Sequence, residues 1–363
     1  MEVAVLFTVF VGGLIAGIPV AITLGISSLA YLLVAGLPPV VMPQKMYAGM
    51  DVFVLLSIPG FILAGNLMNQ GGITTRIIRF ANSLVGWIRG GLGLTNIAAS
   101  MLFGGITGTA VADAASIGGV MIPGMKKAGY PGDFSAAVTA ASSTVGPIIP
   151  PSVPMIIVGA LSGVSVGQMF LAGAVPGILM GFAMMVTAYV IASRKKFPRQ
   201  EWKGASEVVR SFGGAIWALA MTFLIVYGLL SGLATPTETA VVASVYAFFV
   251  GAFVYRELPI KKVPGIVIDS AVSAAGILAL VGFANVFGWI MVSERIPQAI
   301  ADGVLSLTDN KFVVILLINL LLLFVGMFME TIAALIILFV PLLSLAQAVG
   351  IEPLHFATFA VLN

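Results

Sequence analysis

The sequence has no cysteine, a single histidine, and only 9% charged residues among 363. Without cysteine, neither disulfides nor thiol chemistry is open to it. The lone His355 falls near a probable loop and reads as structural. No GxxxxGK[ST] phosphate loop, HExxH helix or GxSxG nucleophile elbow occurs, so the common enzyme signatures are missing and any work must draw on a gradient. A soluble domain carries about a quarter charged residues, and this scarcity excludes one. The net charge of +3 does not point to nucleic acid either, because the basic residues punctuate apolar runs and form no soluble basic surface.

What remains is apolar. Hydrophobic residues make up 60% and the mean hydropathy is +1.14. A membrane span needs roughly 20 apolar residues, so about ten to twelve spans or hairpin arms fit and almost no extramembrane domain is left. The clusters Arg194, Lys195, Lys196, Arg199, Lys203 and Arg256, Lys261, Lys262 belong on the cytoplasmic side by the positive-inside rule. The start, MEVAVLFTVFVGGLIAGIPV, lacks a basic n-region and reads as a first span, not a signal peptide.

Two apolar arms are expected over residues 3–35, meeting near Gly17 to Pro19, followed by a loop at GLPPVVMPQ whose prolines cannot continue a helix. Val52 to Met68 reads as a span, and Thr74 to Trp87, with Arg76, Arg79 and Arg89 among isoleucines, as an amphipathic interfacial segment. The chain is organised around the next stretch, Gly91 to Met155, which has two breaks: GGITGTAVADAAS (Gly104 to Ser116) and SSTVGPIIPPS (Ser142 to Ser152). Non-helical backbone at membrane depth survives only where protein buries it or it lines a polar cavity. Paired broken helices are the best sequence pointer to a transporter's binding site. Between them, PGMKKAGYPGDF reads as a cytoplasmic loop, so the first hairpin opens inward. Two further spans are expected over 153–192 and another from Phe212 to Leu230, before a second run of broken segments from GLATPTETAVVASVYAFF.

That second run matches the first at an offset of about 220 residues, as internal duplication requires: Phe103 falls on Phe324, Gly105 on Gly326 and Gly129 on Gly350. The expected architecture is an all-α polytopic membrane protein of two inverted-topology repeats with broken helices and re-entrant hairpins. Residues 1–152 form the first repeat, 153–229 the connecting spans and basic loop, and 230–363 a second repeat. The counterpart of Gly146 to Pro151 would fall just beyond Asn363, so this repeat is expected to be incomplete.

A charge at the centre of a membrane helix costs about 2.5–3.5 kcal/mol, so Asp113, Glu238 and Glu330 must each be compensated. Each is a cation-site or gating candidate, against the alternative of capping a half-helix N-terminus; the Thr235 to Glu238 spacing suits a capping box. Thr107, Thr109, Ser142, Ser143 and Thr144 set hydroxyls beside the breaks, an oxygen-rich arrangement suited to sodium, although small residues also simply let helices pack closely. Arg295 is a candidate partner for an anionic substrate, or snorkels to the interface beside Glu294.

The segments SIPGFILAGNLMNQGGI, FGGITGTAVADAASIG, STVGPIIPPSVPMI, GLATPTETAVVA and FMETIAALIILFVPLL closely resemble the large membrane subunit of tripartite ATP-independent periplasmic (TRAP) transporters, over essentially the whole chain. The resemblance implies a sodium-driven, elevator-type importer of organic acids such as dicarboxylates or sialic acid. A mobile transport domain would carry two hairpins against a scaffold, in the bacterial inner membrane. It implies a periplasmic substrate-binding protein and a small four-span membrane subunit as partners, lipid around them, and no organic cofactor. It also puts a first sodium site on backbone oxygens of Gly104 and Thr107 opposite Gly146, Ile149 and Pro151. A second site would use Gly326 and a later TPP-type motif absent from these residues. The chain is therefore expected to be truncated and to transport poorly at this length. Two other functions are weighed: a self-sufficient ion-coupled carboxylate transporter, and an intramembrane hydrolase pairing Asp113 with Glu238 or Glu330, whose close carboxylates would split their pKa values.

Overall fold

The structure, a computed structural model, describes residues 2–308, 310–327 and 329–363, and the backbone alone of residues 105–107. Every regular element among them is helical. Helices α1 (Glu2–Ile15) and α2 (Val20–Val34) meet about Gly17, as their apolar runs predict. Then come α3 (Val41–Met50), a 3₁₀ turn (Phe53–Leu56), α4 (Ser57–Gln70) and α5 (Ile73–Val85). Helices α6 (Gly91–Thr107) and α7 (Ala110–Lys127) form the first interrupted pair, α8 (Gly132–Ser143) and α9 (Val153–Ser162) the second, and α10 (Val166–Arg194) leads to the basic loop. The chain continues through α11 (Ala205–Leu230), α12 (Pro236–Phe249), a π turn (Val250–Val254), a 3₁₀ turn (Ile260–Lys262) and α13 (Val263–Ser293). It finishes with α14 (Ile296–Leu305), α15 (Lys311–Gly326), α16 (Thr331–Ala348) and α17 (Pro353–Leu362).

Among the described residues, six helical segments are long and apolar enough to cross a membrane and six shorter apolar helices accompany them, which agrees with the spans and half-length arms expected. Many large apolar side chains face outward, including Phe182, Val186, Phe223, Val245, Val272 and Leu320. An apolar exterior of this extent suits lipid and not water.

Three expectations are corrected. The loop at GLPPVVMPQ is shorter than expected, because α3 begins at Val41 and takes Pro43 into its first turn, where no backbone N–H is needed. The loop at PGMKKAGYPGDF shrinks to residues 128–131, since α7 runs through Pro123 to Lys127. Ile117, Met121 and Met125 form a buried stripe at spacings of one turn, and that packing outweighs the hydrogen bond Pro123 removes. Helix α11 starts at Ala205, earlier than Phe212.

The duplication is visible in the elements themselves. A shift of 221 residues carries the bounds of α7, Ala110 and Lys127, onto those of α16, Thr331 and Ala348. The same shift takes Gly129 (φ 87°) onto Gly350 (φ 76°). Helices α5, α6 and α8 correspond in order to α14, α15 and α17.

Polar contacts fasten this frame. Ser244 of α12 donates to the Gly60 carbonyl of α4 at 2.7 Å, and Asn66 of α4 donates to Ser270 of α13 at 2.8 Å. The amphipathic α5 buries Ile73, Ile77 and Ala81, one turn apart, while its arginines reach neighbouring elements. Arg76 pairs with Glu257 at 2.7 Å and lies 3.9 Å from the Tyr255 ring centroid. Arg79 grips both carboxylate oxygens of Glu207, at 2.8 and 3.2 Å. An exposed ion pair stabilises little, so these contacts position α5 more than they hold the fold together.

Candidate functional site

The first break is made by Gly108, in the left-handed region at φ 63°, between the end of α6 and Thr109. Thr109 is the N-cap of α7, its hydroxyl accepting from the Ala112 N–H at 3.3 Å. In the second break, α8 ends at Ser143 and the chain turns through residues 144–152. Ser152 then caps α9, accepting from Met155 N at 3.2 Å, while its own hydroxyl donates to the Pro147 carbonyl.

The fold presses the two breaks together. A Cβ built on Gly104 would stand 2.6 Å from Gly146 Cα and 3.3 Å from its N. One built on Gly108 would stand 3.0 Å from the Pro151 carbonyl oxygen. Only glycine permits approach this close, and it brings carbonyl-bearing backbone of both breaks to one place. Ile149 packs on Gly177 of α10. Thr107 closes α6, and its side chain lies outside the described residues.

Behind this contact lies a buried polar network. Asn96 donates to Thr139 at 2.6 Å, Ser100 to Ser142 at 3.1 Å, and Ser142 and Ser143 to the Thr139 carbonyl at 3.1 and 2.8 Å. Asp113, in the first turn of α7, is fully buried, and neither carboxylate oxygen has a hydrogen-bond partner. Thr144, by contrast, is exposed.

A cavity of about 400 Å³ opens in front of the first break. Thr109, Ala112, Asn66, Ser273 and Glu330 line it. Glu330 is the counterpart of Thr109 in the second repeat and plays the same local part, capping α16 by accepting from Ala333 N at 3.3 Å. Two half-helix N-termini thus share one cavity: that of α7, capped by the neutral Thr109, favours an anionic group, whereas that of α16 already carries the Glu330 carboxylate.

The remaining candidates lie elsewhere. Glu238 completes a capping box with Thr235, its carboxylate accepting from the Thr235 N–H at 2.8 Å, and is exposed. Arg295 is exposed at the α13–α14 junction with φ 55° and does not line the cavity. Its neighbour Glu294 accepts a hydrogen bond from the Tyr31 hydroxyl. Gly326 ends α15, away from the Gly104–Gly146 contact, with open space about it. Asn66 and Ser273 went unread as cavity residues, although polar side chains inside apolar helices were the signal for them.

Interrupted helices paired across glycines, inside a helical protein with apolar spans, define a multi-pass membrane permease. The chain belongs to the DctM component family of tripartite ATP-independent periplasmic transporters, which matches residues 7–363. It is 43% identical over 355 residues to the sialic acid TRAP transporter large permease protein SiaM of Vibrio cholerae, covering 98% of this chain and 83% of that one. It is 36% identical to the C4-dicarboxylate large permease DctM of the same organism, covering 100% and 85%. The 2,3-diketo-L-gulonate large permease YiaN of Escherichia coli is also 36% identical, with 100% and 86% covered. All are named as transporter permeases and none as an enzyme, which removes the hydrolase from consideration. In fold the chain is similar to the crystal structure of the YdaH transporter of Alcanivorax borkumensis, with a TM-score of 0.59 at 15% identity over 88% of this chain and 75% of that one.

Proposed function

We propose that this permease imports an organic acid carboxylate, such as sialic acid or a C4-dicarboxylate, by symport with sodium. The observation that carries the reading is the contact between Gly104 and Gly146, which brings backbone of two broken helices together. Sodium is a hard cation, and carbonyl and hydroxyl oxygens replace its hydration shell well. Among the described residues no cluster of three His, Cys, Asp or Glu forms, so the donors on offer are mostly neutral oxygens. That set fits a monovalent ion. Gly104, Thr107, Gly146, Ile149 and Pro151 would hold it, and Gly326 would serve a second ion in the other repeat.

The carboxylate of the substrate would lie in the cavity against the N-terminal end of α7, beside Thr109, Asn66 and Ser273. Sodium and substrate then meet on the two hairpins α6–α7 and α15–α16. These would move as one transport domain past a scaffold, with residues 1–152 and 230–363 as the two repeats and 153–229 linking them. With basic loops at Lys126, Arg194 to Lys203 and Lys261 on the cytoplasmic side, the α6–α7 hairpin would open inward in the inner membrane. Moving one positive charge inward through 100 mV supplies about 2.3 kcal/mol, so one or two sodium ions suffice for concentration. A periplasmic binding protein would deliver the substrate and a small four-span subunit would widen the scaffold.

Uptake of labelled organic acids into proteoliposomes, with the small subunit present, tests this. Uptake should need both a sodium gradient and the binding protein. Uptake without the binding protein would make this a self-sufficient transporter, and uptake indifferent to sodium would overturn the ion site.

A further inference from the structure

A second cavity, of about 450 Å³, lies among α3, α9, α13 and α16. Its walls are apolar: Leu55, Ile157, Val281 and Ile336 face it, and all four are buried. Ala48 and Val292, both exposed, stand at its rim. Small-molecule sites have this make-up, roughly 300–1,000 Å³ of apolar lining with a few polar groups that fix orientation. Here Lys45 and Asn285 supply the polar groups. Asn285 is committed to the frame, since its amide donates to the Lys45 carbonyl at 2.7 Å and ties α13 to α3. Lys45 is the only charged residue lining the cavity among the described residues. Its ammonium has no ion-pair or hydrogen-bond partner among them and lies 5.0 Å from the centroid of the Trp289 ring, which also lines the cavity.

A lysine in a membrane protein ordinarily lays its stem on apolar surface and keeps its head in water. Lys45 departs from that in two ways. It is half-buried, as is Trp289, and a ring face balances an ammonium on one side while its three N–H donors go unmet. It also sits by residues 281–292, at the far end of the 31-residue α13 from Lys261 and Lys262, on the side that the positive-inside rule leaves poor in lysine. Gly288 adds room, because a Cβ there would meet nothing within 4 Å.

We propose that this cavity binds a long-chain fatty-acid anion, its carboxylate paired with Lys45 and its chain lying along Val281, Ile157 and Ile336. One cation calls for one negative charge, and a cavity of this size takes one chain and not the two of a phospholipid. The site is separate from the Gly104–Gly146 contact and from the cavity at Thr109, and it does not depend on sodium coupling.

Tryptophan fluorescence tests it. The chain has four tryptophans, of which Trp87, Trp202 and Trp217 are exposed, so replacing those three by Phe leaves Trp289 as the emitter. The full chain, with its small membrane subunit, is placed in phosphatidylcholine nanodiscs at mildly alkaline pH, where the acid is ionised and lysine still charged. Dibromostearate should quench Trp289 saturably, and its methyl ester should bind about tenfold or more weakly, because a charge-assisted hydrogen bond is lost. Lys45→Gln should weaken dibromostearate by about the same factor, while Lys45→Arg changes it by less than about threefold. Gly288→Leu fills the cavity and should abolish saturable quenching without lowering the unfolding midpoint. Equal quenching by acid and ester, or an affinity unchanged in Lys45→Gln, overturns the proposal and leaves Lys45 an interface anchor. Quenching by dibromophosphatidylcholine that Gly288→Leu removes and stearate does not displace gives the cavity to bilayer lipid and overturns it too. Should the triple Phe background fail to fold, equilibrium binding of radiolabelled stearate to the chain with its tryptophans in place decides by the same comparison of wild type, Lys45→Gln and Gly288→Leu.

Discussion

Substituting Gly104 by alanine tests the meeting of the two breaks most directly. The added methyl carbon would lie 2.6 Å from Gly146 Cα, whereas non-bonded carbons settle at about 3.5–4.0 Å. Backbone cannot rotate away as a side chain would, so α6 and the 144–152 turn must part by about 1 Å. Overpacking of this kind destabilises by about 1–3 kcal/mol. A binding constellation must hold its geometry to within about 0.5 Å, so the sodium half-saturation for uptake should rise about tenfold or more. The matched control is Gly119→Ala in α7, where nothing lies within 4 Å; a helix interior should gain about 0.5–1 kcal/mol from it. Sodium titration of proteoliposome uptake, alongside thermal unfolding, reads both effects. If Gly104→Ala transports with an unchanged sodium half-saturation, the cation does not bind between the breaks and the reasoning fails.

Other outcomes follow from the same geometry. Thr109→Val removes the cap of α7 together with a cavity hydroxyl; it should lose about 1 kcal/mol and raise the KM for substrate, while Thr109→Ser leaves both nearly unchanged in unfolding and uptake assays. Thr235→Ala breaks the capping box at α12 and should cost about 1 kcal/mol in thermal unfolding, with the sodium dependence of uptake unaltered because Glu238 is remote from the cavity. Arg76→Lys should destabilise more than Arg79→Lys, since Arg76 both pairs with Glu257 and covers the Tyr255 ring, and lysine loses the planar stacking. The Arg79–Glu207 pair should show only a weak coupling in a double-mutant cycle, shrinking as salt rises.

Several features were legible from residue order alone. The near absence of charge with a hydrophobic majority requires a membrane protein, because only lipid tolerates so much apolar exterior. The breaks at Gly104 to Ser116 and Ser142 to Ser152 declared themselves through glycine, threonine and proline, and the offset that aligns Phe103 with Phe324 and Gly129 with Gly350 revealed the duplication. Those signals are local: they depend on what each short stretch can do by itself. The prolines at 43 and 123 misled for the same reason, since a proline's local preference against helix interiors says nothing of its position in the first turn of α3 or of the buried Ile117, Met121 and Met125 stripe that holds α7 together. Only the tertiary structure decided which oxygens meet. Residues 104 and 146 are distant in sequence and touch because the interrupted pairs pack against one another. Glu330 and Thr109 share a cavity through the packing of two repeats, while Glu238 and Arg295, equally promising in apolar sequence, end at a helix cap and an exposed junction. Residue order dictates where the backbone must break, and packing between distant segments dictates which breaks face one another.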